Sequence, residues 1–168
     1  TQANVEFGLR LKGVGKQERA KAARSVIDLV GLSGFEDKYP HQLSGGMRQR
    51  AAVARALANE PAVLLMDEPF AAIDAMTRQR LQEELTAIIQ AANMTVIFVT
   101  HSIEEAVFLG DRVVVLSGRP GRVLHDLRVD LERPRKWDAL ANDRRFAEYR
   151  DELRRLLHGA HPQIGEHV

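Results

Sequence analysis

LSGGMRQ at Leu43–Gln49 and VLLMDEP at Val63–Pro69 are the two stretches that decide the fold of this chain. In the first stretch, Ser44 is a good helix N-cap, and Gly45 and Gly46 allow a backbone to approach a ligand closely. A helix that begins in this way offers free N–H groups and the positive end of its dipole to an anion. The first stretch therefore predicts a phosphate-binding helix start.

The second stretch predicts a strand that presents two carboxylates. Four apolar residues, Val63–Met66, precede Asp67 and Glu68. Such a run is typical of a buried strand in a parallel sheet. Open α/β proteins bind their ligands at the carboxyl edge of the sheet, so both acids are expected at that edge. One acid can serve a magnesium ion, and the other can activate water.

In order and spacing, these stretches resemble the motifs of ABC-transporter ATPases. LSGGMRQ resembles the signature motif of that family, Val63–Asp67 resembles its Walker B strand, and Glu68 stands at the position of its catalytic glutamate. Ser44 and Asp67 are 23 positions apart, and Glu68 and His101 are 33 apart, as in the family. A Gly-Gly pair alone would predict only a turn, whereas the ordered set is specific.

The resemblance continues beyond Pro69. Phe70–Asp74 resembles the D-loop, whose aspartate lies at the dimer interface in the family. As a bare residue Asp74 is more simply the N-cap of the next helix, and the two roles are compatible. Thr100–Ala106 resembles the H-switch, with His101 at the end of a β-branched run that predicts a fully buried parallel strand. A lone histidine after a strand is more often structural, but this context favours a bond to a γ-phosphate or to the attacking water.

The resemblance implies a nucleotide site shared between two subunits that sandwich two ATP molecules with Mg2+. In that arrangement Asp67 would hold the metal, Glu68 would orient or deprotonate water, and His101 would bind the γ-phosphate. The candidate cofactor-binding residues lie in the signature motif and the D-loop: Ser44, Gly45, Gly46, Gln49 and Asp74. An exposed helix face would explain Gln49 about as well.

The chain contains no match to G-x-x-x-x-G-K-[ST], the loop that cradles phosphates, since its Gly15-Lys16 pair is followed by Gln17. The chain begins at Thr1, and Asn4–Leu9 resembles the segment after the Q-loop of ABC importers. The resemblance therefore implies that an N-terminal half with Walker A is missing. Without it, the strand Val63–Asp67 is expected to leave an apolar edge and face open.

The predicted fold class is α/β: the C-terminal part of a P-loop NTPase, with a RecA-like parallel sheet and flanking helices, plus the ABC helical subdomain. Residues 1–60 are expected to form the helical subdomain that ends in the signature motif and its helix. Residues 61–130 would form the α/β core with Walker B, D-loop and H-switch, and residues 131–168 a linker and an amphipathic helix.

Periodicity and cap signals locate the individual elements. Ser102 is expected to cap a short helix, with Glu105 completing a capping box. Residues 35–42 are read as a loop because of Pro40, and residues 159–168 as a frayed end. The helix capped by Ser44 is expected to continue over Arg48–Asn59. The remaining expectations are helices at Lys16–Val30, Met76–Ala92 and Asp143–His158, and a hairpin over Val113–Leu127 that closes the sheet.

Composition limits the possible function classes. The 24 basic and 23 acidic side chains leave a formal charge of +1, and no long basic block is present, which argues against nucleic acid as the main partner. No cysteine occurs, so disulfides and thiolate metal sites are excluded. No apolar run approaches the ~18 residues needed to span a bilayer, so a membrane role would come through a partner.

The resemblance implies the ATP-binding and ATP-hydrolysing subunit of an ABC importer, here as a fragment without the P-loop. Asp130–Arg135 and the tail resemble the nitrate, sulfonate and taurine group, which implies a small anion or sulfonate-type solute. The implied partners are a second copy or a paired ATPase subunit, permease subunits and, indirectly, a solute-binding protein, at the cytoplasmic face of the inner membrane. Two alternatives stay open: a soluble ABC ATPase that works on DNA or ribosomes, and a non-catalytic fragment that acts as an interaction module.

Overall fold

The structure, a computed structural model, describes residues 1–71 and 73–160. The chain divides into two compact units, Thr1–Ile97 and a second unit that begins at Phe98. Helices and strands occur in both units. The functional segments with boundaries at residues 60 and 130 stay predictions.

From Gln2 to Val99 most of the described secondary structure is helical, with two short strands in the second half of this range. The elements are α1 Gln2–Val5, α2 Phe7–Leu11, α3 Lys16–Leu29, a 3-10 helix Pro40–Gln42, α4 Gly45–Leu57, β1 Val63–Asp67, α5 Ala75–Ala91 and β2 Thr95–Val99. Helix α3 carries the predicted apolar stripe and ends before Gly31, whose φ of +65° suits glycine. Core side chains that are at most 1% exposed include Val5, Ala23, Ile27, Val30 and Leu32.

Local cap signals correctly predicted where α4 and α5 begin. The Ser44 hydroxyl accepts a hydrogen bond from the Met47 N–H at 3.2 Å, and the Asp74 carboxylate accepts one from the Thr77 N–H at 3.0 Å. Each bond satisfies a backbone donor that the first helical turn leaves without an intrahelical partner. The loop predicted before Ser44 is wrong at one point, since Pro40 starts a short 3-10 helix there.

Strands β1 and β2 are hydrogen-bonded neighbours in a two-stranded sheet. Their predicted burial is wrong on one face: Leu65 is 73% exposed, Ile97 53% and Val99 50%, whereas Leu64 is buried. Successive side chains of a strand point to opposite faces, so one face packs while no described element covers the other. This confirms the other expectation, that an apolar face of the Walker B strand lies open.

The second unit begins at Phe98 and contains α6 Ile103–Leu109, β3 Arg112–Leu116, β4 Val123–Arg128, α7 Trp137–Leu140 and α8 Arg144–Ala160. Strands β3 and β4 pair antiparallel, with Val113 opposite Leu127 and Val115 opposite His125. The predicted hairpin is confirmed. Its predicted role in closing the sheet is wrong, because the described part of the hairpin forms a separate two-stranded sheet.

The structure packs the segment that begins at residue 131, where the sequence predicts a linker. Leu131 and Arg135 are buried, as is Val129 just before them, and Arg135 donates a hydrogen bond to the Leu131 carbonyl. Helix α8 is confirmed, with Phe146 and Leu153 among its buried positions, and it continues through Ala160 where fraying was predicted. The rest of that prediction, for residues 161–168, lies outside the described residues.

None of the helices in the part of the chain that the structure describes is both long enough and apolar enough to span a membrane.

Candidate functional site

The start of α4 is an open helix N-terminus. Ser44 and Gly45 are exposed, and a Cβ added to Gly45 would have only the Arg48 Nη2 nearby, at 3.9 Å. The Ser44 side chain satisfies the N–H of Met47. The geometry therefore leaves room for a ligand against the first turn, where free N–H groups and the helix dipole favour an anion.

Gly46 has a structural role that the motif did not predict. A Cβ at this position would lie 2.6 Å from Cδ2 of Leu81, a side chain of α5 that is 3% exposed. The missing side chain lets α4 pack closely against α5. This packing accounts for Gly46 without any ligand, so the two glycines of the motif do different work in the fold.

We expect Gly46→Ala to destabilise the fold by about 1–3 kcal/mol, because it overpacks the contact with Leu81. Gly45→Ala is the matched control: its Cβ would make only an ordinary contact with Arg48 Nη2 at 3.9 Å, so the free energy of unfolding should change by less than about 1 kcal/mol. Urea unfolding of both variants beside the unsubstituted chain measures the difference. Equal urea midpoints for the two variants would show that Leu81 moves aside at little cost in free energy.

Gln49 links α4 to the turn that follows β1. Its Nε2 donates a hydrogen bond to the Pro69 carbonyl at 3.3 Å, and its side chain is half-buried. Among the described residues, Gln49 Oε1 is buried without a hydrogen-bond partner. The structure thus places Gln49 against the Walker B turn, and its predicted contact with nucleotide stays a prediction.

The two acids at the end of β1 differ in exposure and backbone. Asp67 is exposed, so its carboxylate is accessible to a ligand from solvent. Glu68 is half-buried and adopts a left-handed backbone with φ of +43°, which costs about 1–3 kcal/mol for a residue other than glycine. The turn is held by the fully buried Phe70 and by an Ala71 N–H that donates to the Glu68 carbonyl at 3.2 Å. Ala72 lies outside the described residues.

Asp74 caps α5 from an exposed position. The hydrogen bonds that it accepts from Thr77, chiefly from the backbone N–H, hold the pKa of Asp74 below its ordinary value. Its structural role as N-cap is confirmed. The D-loop role across a dimer interface stays a prediction.

His101 is exposed and lies immediately before the N-cap of α6. Ser102 accepts the predicted bond from the Glu105 N–H at 3.2 Å. The return bond of the predicted capping box runs differently: the Ser102 N–H donates to Thr100 Oγ1 at 3.1 Å, and that hydroxyl donates to Glu105 Oε2 at 2.6 Å. The Thr100 side chain therefore links the residue before His101 to Ser102 and Glu105 after it.

Sequence reasoning missed a cap at the other end of α6. Arg135 is 3% exposed, and its guanidinium donates to the carbonyls of Val107, Phe108 and Gly110 at 2.7–3.1 Å. Burial, with a smaller effect from the neighbouring Arg133, lowers the pKa of Arg135 to about 10, so the side chain keeps its charge at neutral pH. An arginine in a Pro-containing segment gives no sequence signal for such a cap, since its acceptors are more than twenty residues away.

The predicted residues fall into two groups. The signature, Walker B and D-loop residues lie in the first unit, where Gln49 joins α4 to the turn after Glu68, and His101 lies in the second unit. Within residues 1–71 and 73–160, no group of three or more His, Cys, Asp or Glu side chains is arranged to hold a metal ion. A single carboxylate such as Asp67 still fits Mg2+, which keeps several waters and binds through one or two carboxylates plus phosphate oxygens.

Comparison with known proteins identifies the family. The family model described as ABC transporter matches residues 2–71, which include the open helix start and the Walker B strand. An ABC transporter ATP-binding protein of Methanocaldococcus jannaschii, itself uncharacterised, is 56% identical over 154 residues, which is 92% of this chain and 56% of that protein. The chain belongs to the ABC transporter family.

Two further relatives of this ABC chain are named for the solutes of their transporters. The taurine import ATP-binding protein of Rhizobium johnstonii is 48% identical over 92% of this chain and 61% of its own length. The nitrate import ATP-binding protein of Synechocystis is 44% identical over 98% of this chain and 64% of its own length. The chain thus spans less than two thirds of each of these relatives.

Solved ABC structures confirm the fold class. CbiO1 of Clostridium perfringens, part of the ABC transporter complex cbiONQ, superposes with a TM-score of 0.67 at 27% identity over 92% of this chain and 58% of its own. A bacterial ABC transporter cassette solved as a dimer gives 0.58 at 34% identity over 78% of this chain and 57% of its own. The mixed helix and strand architecture is therefore that of an ABC ATPase cassette, a P-loop NTPase fold.

Proposed function

We propose that this chain supplies the signature motif, Walker B strand, D-loop and H-switch of an ATP-hydrolysing ABC importer subunit. The observation that carries the proposal is the open start of α4, where Ser44 and Gly45 are exposed and a Cβ on Gly45 would meet nothing closer than 3.9 Å. A helix start of this kind binds anions through its N–H groups and dipole. The phosphate of ATP is such an anion.

On this proposal the acids of the Walker B turn divide the chemistry. The exposed Asp67 carboxylate holds Mg2+, directly or through water, and the metal neutralises charge on the phosphates when it is bound. Glu68 orients the attacking water and accepts its proton, a contribution of about 10² to 10⁴ in rate. His101, exposed before the start of α6, donates a hydrogen bond to the γ-phosphate.

The site is completed by a second subunit. Ser44 and Gly45 approach the γ-phosphate held by the partner, and Asp74, the cap of α5, lies at the interface between the two copies. Gly46 contributes by holding the helix start against Leu81. The solved dimeric cassette among the structural neighbours supports pairing as the functional state.

The remaining assignments follow the relatives. The taurine and nitrate import proteins favour a small anion or sulfonate-type solute. The proposed partners are permease subunits in the membrane and, through them, a solute-binding protein, with the ATPase at the cytoplasmic face. Two other functions compete with this one: a soluble ABC ATPase outside transport and a non-catalytic interaction module, the second favoured by the absence of a P-loop match in these 168 residues.

The proposal is tested with a chimera in which this chain replaces the aligned part of the taurine import ATP-binding protein of Rhizobium johnstonii. We expect the chimera to hydrolyse Mg-ATP. The 168-residue chain by itself should neither hydrolyse nor tightly bind ATP, because the lysine and the nest of N–H groups that hold a β-phosphate are absent from its sequence. Phosphate-release assays and isothermal titration measure both.

Light scattering on the isolated chain extends the test. The open face of β1 and β2, with Leu65 73% exposed, should drive self-association. A chimera that folds and binds ATP without hydrolysing it would favour the interaction module. Micromolar ATP binding by a clean 18.8 kDa monomer would contradict the requirement for a P-loop from outside these residues.

A further inference from the structure

Helix α6 is too short to define its own position. It has 7 residues, about two turns, and an isolated helix of that length is not stable in water. Its place in the second unit therefore depends on the groups that hold its ends and its buried face. Val107 and Phe108 are fully buried, so the helix is anchored mainly at its C-terminal half.

Two arginines close the C-terminal end of α6. Besides its bonds to the last carbonyls of the helix, Arg135 donates to the Leu131 carbonyl at 3.1 Å and to Asp111 Oδ1 at 3.2 Å. Arg133 donates to the Leu109 carbonyl at 2.7 Å and to the same Asp111 oxygen at 2.9 Å. A cation at a helix C-terminus is stabilised by the helix dipole as well as by these bonds.

Residues that follow Arg135 in the chain also contact the side of α6. The Trp137 ring stacks on Phe108 with centroids 4.3 Å apart and planes 5° apart, and it meets Phe146 of α8 edge-on at 5.9 Å. Arg154 of α8 lies 3.8 Å from the carboxylate of Glu104, in the first turn of α6. Residues 131–157 thus contact the helix at its end, on its buried face and near its start.

Hydrogen bonds tie the chain neighbours of His101 to the start of α6. The backbone N–H of Ser102 bonds to Thr100 Oγ1, and that hydroxyl bonds to the buried Glu105. The residues on both sides of His101 are therefore tied to the first turn of the helix. A shift or tilt of α6 carries the imidazole with it.

We propose that Arg135 is a positioning residue for His101, which it holds in place through helix α6. The inference rests on the proposed role of His101 at the γ-phosphate. It gives the segment 131–157 a function in turnover, that of holding the H-switch in position, beyond the linker and amphipathic helix that its sequence suggested. A positioning role of this kind affects the rate of the chemical step more than the binding of ATP, which depends on other parts of the site.

The chimera with Arg135→Met tests the proposal, because methionine keeps an unbranched side chain and loses every donor. We expect kcat to fall about tenfold or more while KM for ATP stays within about twofold. The ring resonances of His101 should shift, identified by their loss in His101→Gln, while those of His125 on β4 stay unchanged. Amides of α6 should exchange about tenfold faster than in the unsubstituted chimera, and those of α4 at the same rate.

Matched variants separate positioning from folding. Arg135→Lys, which keeps a cation at the helix end, should recover part of kcat. Arg144→Met should match the unsubstituted chimera, because Arg144 is 91% exposed and its ion pair is with Glu148, one helical turn away. If the NMR spectrum of Arg135→Met shows that the variant does not fold, Arg133→Met is used for the same test. It removes fewer hydrogen bonds from the same end of the helix.

Unchanged His101 resonances and kcat in a folded variant would overturn the proposal, as would equal shifts of His101 and His125. An unsubstituted chimera without ATPase activity would count against the proposed function instead. In that case the resonances and amide exchange still decide whether Arg135 sets His101.

Discussion

Glu68→Gln in the chimera is expected to reduce ATP turnover by about 100-fold or more while ATP binding survives and the closed dimer accumulates. Of the two acids after β1, Asp67 is assigned to the metal, which leaves Glu68 to take a proton from water. Glutamine matches the size of glutamate and retains an acceptor, but it has no basic oxygen for that proton. The expected loss is the share that a general base contributes.

The chain offers a matched control for this substitution. Glu60 also has a left-handed backbone, with φ of +50°, and it precedes β1 where Glu68 follows it. Glu60→Gln therefore makes the same chemical change on a similar backbone away from the proposed site, and turnover should be unchanged. Steady-state phosphate release and equilibrium binding of labelled ATP measure the pair. More than about a tenth of the original turnover in Glu68→Gln would contradict a general-base role.

Ser44→Arg is the second change with a large expected effect: it should abolish hydrolysis at the site to which that helix start contributes. The arginine removes the cap on the Met47 N–H, which costs about 1 kcal/mol of stability. More importantly, it puts bulk and a misplaced cation where a phosphate must approach the free N–H groups of α4. Thermal unfolding of the variant should show a folded chimera with a modestly lower midpoint.

Mixed dimers show whose site is lost. With Ser44→Arg in one subunit and Glu68→Gln in the other, a shared site predicts that both changes damage the same site, so activity equals that of a dimer with Glu68→Gln in one subunit alone. With both changes in the same subunit, both sites fail and activity is lost. The reverse ranking would mean that each subunit uses its own helix start, and the shared site would then be wrong.

Elements set by local chemistry were predictable from the sequence. The starts of α4, α5 and α6 follow from Ser44, Asp74 and Ser102, because an N-cap bonds to N–H groups only two or three residues away. The end of α3 follows from Gly31 for a similar reason. The hairpin of β3 and β4 was equally visible, since its β-branched run and turn are contiguous.

Features that depend on distant partners were not predictable in the same way. The apolar run of β1 indicates a strand, but whether Leu65 is covered depends on neighbours that the run does not specify. The partner of Gly46 is Leu81, thirty-five positions away on α5, so the motif alone suggested a ligand where the fold supplies a side chain. Arg135 reads as one more charge in a polar segment until its carbonyl acceptors on α6 are known.

In the candidate site, the order of the motifs indicated the candidate residues, and the structure shows their contacts within the fold. Ser44 and Asp74 are caps in fact, whatever they contact in a dimer. The nucleotide contact of Gln49 stays a prediction, and the structure adds a hydrogen bond from its amide to the carbonyl of Pro69. A side chain of that length can point in several directions from a helix, and sequence spacing does not choose among them.

At Glu68, the left-handed backbone and the proposed chemistry favour different residues. Glycine would relieve the cost of a φ near +43°, and asparagine would tolerate it better than glutamate does. The fold would thus be served best by a residue with no carboxylate, while the proposed chemistry needs one. Selection for thermal stability alone would favour replacement of Glu68, whereas selection for catalysis would retain it.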